Sequence, residues 1–292
     1  MSSKGKERAA LEPIPAVTSS SLARRRALII GIDYRGTRHQ LDGCVNDAKT
    51  IQSILVKYNN FSPDNVLVLS DEPGSRNKPT RANILDGMRW LLTTTGASNF
   101  SRKSYSGAAL DRSVYYFHYS GHGVQVADIN RDEVDGKDEA IVPLDFQDAG
   151  VITDDIINQT LVQRIPKGCK LYGTVDCCHS MSNFDLRWFT IGNTVGGNYQ
   201  LSVSERTPET VGCSVILSAC GDTQVSSEVL DNGRPSGALT KGVIMSMVKR
   251  YSNLTLDDLL TGVTVYFTES NLRQIPGISM SKQLDFNTRW LS

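Results

Sequence analysis

No apolar run in these 292 residues approaches the roughly 20 needed to cross a bilayer, since stretches such as Ala27–Ile30 and Val215–Leu217 cover only a few positions. The polar N-terminus also lacks the apolar segment of a secretory signal, and Ser rather than Gly follows Met1, which excludes myristoylation. A soluble, cytoplasmic protein without a membrane partner is therefore expected. Charge of one sign is not in excess. Lys plus Arg number 31 and Asp plus Glu number 31, so there is no basic field to hold phosphates and nucleic acid is excluded as a partner. Cysteine is sparse, with six thiols and no CxxC pair, which rules out a disulfide scaffold and points to free thiols in a reducing compartment. Internal repeats are absent, as is a long Pro- or Gln-rich segment that would recruit the chain to a scaffold. Without a signal peptide, the Asn-x-Ser/Thr triplets at Asn60, Asn99, Asn158 and Asn253 are chance matches.

What is present reads as α/β. Residues 1–25 mix Ser, Ala, Pro and charge without period and form an expected flexible arm, and residues 26–292 form one domain. Within it, short apolar runs alternate with amphipathic segments, the pattern of a mostly parallel sheet with crossover helices on both faces. Strands are expected at 27–32, 65–69, 113–119, 140–144, 170–175, 213–219 and 281–286. Helices are expected at 44–58, from the Thr80 cap to 92, from Thr153 to 164, at 238–251 and at 256–272. An acidic loop fills 128–139. Residues 182–212 show no period, a length that favours a functional or cleavable loop and divides a 26–181 part from a 213–292 part.

Ligands in open parallel sheets sit outside the carboxyl ends of the strands. Two such ends carry chemistry: Tyr119-Ser120-Gly121-His122-Gly123 and Asp176-Cys177-Cys178-His179-Ser180. A thiol needs a base to become a nucleophile at neutral pH, and a carbonyl under attack needs backbone donors, for which the Gly123 and Cys178 amides are candidates. Taken singly, the histidine reads as a structural hydrogen bonder and the cysteine as a small core residue; paired at neighbouring strand ends, they read as a Cys-His hydrolase. Strand alternation sends Asp176 and Cys178 to one face and Cys177 to the other, making Cys178 the nucleophile and Cys177 a core residue. A zinc site at Cys177, Cys178 and His179 is rejected, because consecutive side chains do not converge on one ion and no second ligand pair follows.

Six segments in order, Ala27–Tyr34, Gly43–Ala48, His118–Gly123, Asp135–Phe146, Asp176–Ser180 and Val215–Gln224, resemble a type I metacaspase, a caspase-like cysteine peptidase. The resemblance runs from about Arg26 to the C-terminus. It implies a caspase-like α/β/α sandwich with a His122–Cys178 dyad. It further implies an endopeptidase, expected to be a monomer, that acts on protein or peptide substrates with Arg or Lys before the scissile bond. The specificity pocket would consist of Cys44, Asp47, Ser120 and Asp176. Carboxylates suit it, since they hold a guanidinium by charge-assisted hydrogen bonds; Asp47 read alone is a solvated carboxylate at a helix start.

Calcium is the implied cofactor, at Asp138, Asp154, Asp155 and Asp185, a set of hard oxygens such as that ion needs. Asp154 and Asp155 read alone would simply favour the helix N-terminus behind Thr153. The loop from Asp128 to Glu139 also mimics an EF-hand. That match is rejected because Glu133 takes the glycine position, Asp135 takes the apolar one, and the flanks are strands. Arg187 and Arg206 in the 182–212 loop are candidate autoprocessing points, with Arg206 favoured as the more distant from the site. Two residues depart from the family pattern: Met181 replaces a glycine after the catalytic Cys-His-Ser, and Arg187 replaces a proline. Met181 motivates the competing expectation, a catalytically impaired relative that binds partners.

Overall fold

The computed structural model describes residues 24–93, 112–128, 136–178, 184–191, 199–205, 207–219, 228–231, 234–250 and 253–292. In chain order the elements are β1 (Arg25–Gly31), α1 (Cys44–Tyr58), β2 (Val66–Ser70), α2 (Arg81–Leu91), β3 (Val114–Ser120), β4 (Gly123–Ala127) and β5 (Lys137–Ile141). They continue with α3 (Phe146–Ala149), β6 (Ile152–Thr153), α4 (Asp154–Thr160), β7 (Lys170–Asp176), β8 (Trp188–Ile191), β9 (Ser202–Val203) and β10 (Cys213–Ser218). The last are β11 (Glu228–Asp231), β12 (Arg234–Gly237), α5 (Ala238–Arg250), α6 (Leu256–Glu269) and β13 (Gly277–Met280).

An eight-stranded sheet in the order β2-β1-β3-β7-β10-β13-β8-β9 runs through the molecule. The pairings from β2 to β10 are parallel, and those from β10 to β9 are antiparallel. Period-two alternation gives the central strands two buried faces. Ala27, Ile29, Tyr116, Tyr172, Val215 and Leu217 pack under α1, α5 and α6, whereas Leu28, Ile30, Phe117, Leu171, Val175 and Ile216 pack with residues of α2 and α4. Each large apolar side chain so buried contributes roughly 1.5–3 kcal/mol relative to exposure. This is the expected α/β/α sandwich. Among the described residues no helix is long and apolar enough to cross a membrane.

Several expected boundaries move. Arg25, placed in the N-terminal arm, opens β1, and its guanidinium donates to the Leu291 carbonyl at 2.9 Å; residues 1–23 lie outside the described residues. The strand expected at 140–144 begins at Lys137, because it pairs antiparallel with β4 from Ala127↔Lys137 to Gly123↔Ile141, while Pro143 cannot donate to a ladder. The helix expected to reach Arg164 stops at Thr160 and passes into a 3-10 turn at Val162–Arg164, since Pro166 holds Ile165 in extended backbone. Thr153 flanks that helix, but its side chain makes no capping bond.

The strand expected at 281–286 lies instead at Gly277–Met280, where Ile278 and Met280 supply the core side chains and the polar residues that follow do not. Within the supposedly irregular 182–212 stretch, Trp188–Ile191 is a strand of the central sheet. The β11–β12 hairpin was not expected from the sequence.

Candidate active site

The site is built where three elements end together. Ser120 at the end of β3 pairs in register with Asp176 at the end of β7. Helix α1 is drawn onto the same edge of the sheet: a Cβ on Gly31 would stand 2.3 Å from the Cys44 carbonyl oxygen, so only glycine lets β1 and the helix approach this closely. The helix has Gly43 at its N-cap with no side chain to offer, and the Asp33 carboxylate takes that role from the β1 end by accepting from the Val45 N–H at 3.0 Å.

This placement brings together all four residues expected to form an acidic pocket. Asp47 is fully buried, and its carboxylate accepts from Ser120 Oγ at 2.8 Å, Ser236 Oγ at 2.6 Å and the Gly237 N–H at 2.9 Å. Asp176 Oδ2 accepts from the Thr240 N–H and from Thr240 Oγ1, each at 2.8 Å, so the first turn of α5 helps to hold this anion. Burial, followed by the charge of Asp176, pushes the Asp47 carboxyl well above the usual carboxylate range. The Cys44 thiol is likewise pushed up, first by burial and then by Asp47. Two buried carboxylates gathered here favour a ligand that carries a positive charge.

The two residues expected to react, His122 and Cys178, follow closely on the ends of β3 and β7. A Cβ placed on Gly123 would sit 2.0 Å from the Cys178 carbonyl oxygen and 2.9 Å from Cys177 Sγ, so the His122-Gly123 turn is pressed directly against the end of β7. Cys177 is fully buried in the core on the α2 and α4 side, and Cys178 is half-buried and in no disulfide. Cys177 thus lies in the core, as strand alternation suggests. His122 Nε2 lies 2.7 Å from the His39 carbonyl oxygen. A carbonyl only accepts, so Nε2 carries the proton, and Nδ1 is left with the lone pair of the neutral ring.

The residues implied for calcium surround the start of α4. Asp154 is buried, with Oδ2 accepting from the Glu139 N–H at 2.9 Å and Oδ1 from the Asp155 N–H at 2.8 Å. Its carboxyl is pushed up to about 8, first by burial, with the charges of Glu139 and Asp138 adding to the shift. Asn158 donates to the carbonyls of Phe184 and Asp185, which fastens the Asp185 backbone to the same helix. Among the described residues, no group of three carboxylates, histidines or cysteines is gathered closely enough to hold a metal ion. Arg187 opens the edge of β8, with its carbonyl accepting from the Ser204 N–H and its guanidinium donating to the Thr207 carbonyl. His179, Met181 and Arg206 lie outside the described residues.

Sequence reasoning did not single out Ser236, Gly237 and Thr240, which complete the acidic pocket, or Tyr34, Tyr119 and His39, which surround His122. A signal for the first three existed, since Pro235-Ser236-Gly237 immediately precedes the apolar helix from Ala238, and helix N-termini hold anions. For His39, which acts through its backbone carbonyl, no side-chain signal exists.

A family model described as "Metacaspase, peptidase C14 domain" matches residues 25–187. Metacaspase-1 of Arabidopsis thaliana is 35% identical over 82% of this chain and 64% of its own length. Metacaspase-1 of Mycosarcoma maydis is 31% identical over 92% of this chain and 73% of its own length. The chain thus spans just under two thirds of the first of these relatives. A solved structure from Geobacter sulfurreducens superposes with a TM-score of 0.59 at 20% identity, covering 90% of this chain and 95% of that one, which speaks to the fold alone.

Proposed function

Because this chain belongs to the metacaspase peptidase C14 family, we propose that it is a cysteine endopeptidase cutting after Arg or Lys, with Cys178 as nucleophile and His122 as general base. The observation that carries this reading is the contact of the His122-Gly123 turn with Cys178, just past the ends of β3 and β7 that help form a pocket holding two buried carboxylates. The Cys178 thiol gives its proton to His122 Nδ1, and the thiolate attacks the scissile carbonyl carbon. The Gly123 and Cys178 amides stabilise the oxyanion. His122 returns the proton to the departing amine, leaving a thioester on Cys178, and then takes a proton from the water that hydrolyses it. The His39 carbonyl holds the ring through Nε2 in every step. Asp47 and Asp176 take the basic side chain, whose charge offsets the cost of burying them.

A fluorogenic peptide with Arg before the leaving group tests the reading. Wild type is expected to cleave it and Cys178→Ala to be inactive. Cys177→Ala is expected to keep most of its turnover but lose stability, by roughly 1–2 kcal/mol, because it empties part of the α2 and α4 core. Preference for Asp over Arg, or the opposite behaviour of the two cysteine variants, would overturn the assignment. Wild type that fails to cleave would favour the impaired, partner-binding alternative suggested by Met181.

We extend the proposal to calcium. The donors around Asp154 fit the ion in kind, being carboxyl oxygens whose burial and mutual repulsion a cation would offset, although the ion would have to draw Asp138 and Asp185 inward to complete its shell. Bound there, calcium would neutralise this acidic corner. Asp185 occupies left-handed backbone at φ 46°, which asparagine also tolerates, so Asp185→Asn removes charge with little strain. Titration calorimetry is expected to show about tenfold weaker calcium binding in that variant at an unchanged Tm. Unaltered binding would place the ion elsewhere.

A further inference from the structure

Tyr34 is a bulky residue held at φ 50°, a left-handed backbone that persists only where its surroundings impose it. Its ring is tilted against the His122 imidazole with centroids 4.7 Å apart. Its hydroxyl donates to the Val142 carbonyl at 2.6 Å and accepts from the His122 N–H at 3.1 Å. Tyr119 completes the arrangement on the peptide that follows, donating to the His122 carbonyl at 2.7 Å and accepting from the Val142 N–H at 3.2 Å. Both tyrosines are buried, and every donor and acceptor of the two hydroxyls is thereby used. Gly121 makes room for them, since a Cβ there would fall 2.7 Å from the Tyr119 hydroxyl and 3.1 Å from that of Tyr34. The Tyr34 carbonyl also accepts from Thr37 Oγ1 at 2.7 Å and closes the turn that leads to His39, whose carbonyl holds the far side of the ring.

We infer that Tyr34 is a positioning residue for the general base: its strained backbone delivers one hydroxyl to the His122 peptide and one ring face to the imidazole, fixing where Nδ1 stands relative to Cys178. Tyr119 is its partner in a clamp on the His122 backbone. The inference rests on the peptidase reading of His122 and Cys178. The ring-to-ring contact and the two hydroxyls that hold the N–H and the carbonyl of one residue separate this role from general core packing, because neither would be needed merely to bury the tyrosines.

Tyr34→Phe removes the hydroxyl and keeps the ring. The variant is expected to lose about tenfold in kcat with KM within about twofold, because substrate binding is left intact while proton transfer is misaligned. Alkylation of Cys178 by iodoacetamide across pH gives a second readout that does not need turnover. Its rate profile is expected to shift in Tyr34→Phe, and not in a destabilising variant far from the site such as Leu260→Ala in the buried face of α6. If Tyr34→Phe fails to fold, Tyr119→Phe and Gly121→Ala perturb the same clamp and are expected to shift the same profile. An unchanged kcat together with an unchanged alkylation profile overturns the inference, as does a loss confined to KM. Wild type that alkylates normally yet cleaves nothing would sink the peptidase reading instead, and the alkylation profiles would still decide the role of Tyr34.

Discussion

At the scale of single residues, Asp47 ties the chemistry of the pocket to pH. Its carboxyl is raised by burial and by Asp176, so the folded protein binds a proton there more tightly than the unfolded chain does. A raised carboxyl contributes stability that is present at low pH and lost as pH climbs through the unfolded and then the folded value. A guanidinium bound beside it cancels that loss. The increase in Tm given by an arginine-terminated product peptide is therefore expected to grow as pH rises above the usual carboxylate range. Asp47→Asn is expected to flatten this trend and to lower kcat/KM for Arg substrates by roughly 2 kcal/mol, about thirtyfold. A pH-independent gain in wild type would mean that the peptide's charge is met elsewhere. Asp47 itself was legible as a candidate in the sequence. Its three hydrogen-bond donors were not, because two of them, Ser236 and Gly237, lie 189 and 190 residues away along the chain.

At the scale of elements, the parallel part of the sheet was readable because central strands buried on both faces appear as continuous apolar runs, and α1 was readable to its last residue from the spacing of Val45, Ala48, Ile51 and Leu55. What escaped was antiparallel and peripheral. β4 buries none of its residues fully and follows directly on the His122 turn, so it has no apolar run to announce it. β8 is identified by pairing with β13 rather than by its own pattern. β12 matters most for function, since its last residue seals the acidic pocket. A Cβ on Gly237 would lie 2.2 Å from Asp176 Oδ2 and 2.9 Å from Asp47 Oδ2. Gly237→Ala must push both carboxylates or the strand itself, at a cost of about 1–3 kcal/mol. The expected result is a KM for Arg peptides raised about tenfold or more, with iodoacetamide alkylation of Cys178 unaffected. A normal KM would show that β12 stands clear of the bound side chain.

At the scale of the whole molecule, the 182–212 segment is a structural part of the sheet as well as a connection. β8 pairs with β13, which pairs with β10, which pairs in turn with β7 on the other side of the segment. A chain cut in this region would therefore leave two pieces joined by shared strands and by a continuous core. The two candidate points differ in this setting. Arg187 has its carbonyl and guanidinium both engaged across the β8–β9 edge, and a protease needs its target in free extended backbone. Cleavage at Arg187 would have to break that residue's own bonds in the edge first, whereas Arg206 stands in sequence between its partners Ser204 and Thr207 and farther along the chain from Cys178. Incubation with calcium is thus expected to yield one cut at Arg206, found by mass spectrometry as new termini at 206 and 207. The two fragments should separate in denaturing gels but co-elute in native size exclusion at the 32 kDa of one chain. Arg206→Gln should abolish the cut, and Cys178→Ala should abolish it unless active protein is supplied in trans. Fragments that part under native conditions would contradict the continuity of the sheet, and a cut at Arg187 alone would show that the β8–β9 edge opens more easily than its hydrogen bonds imply.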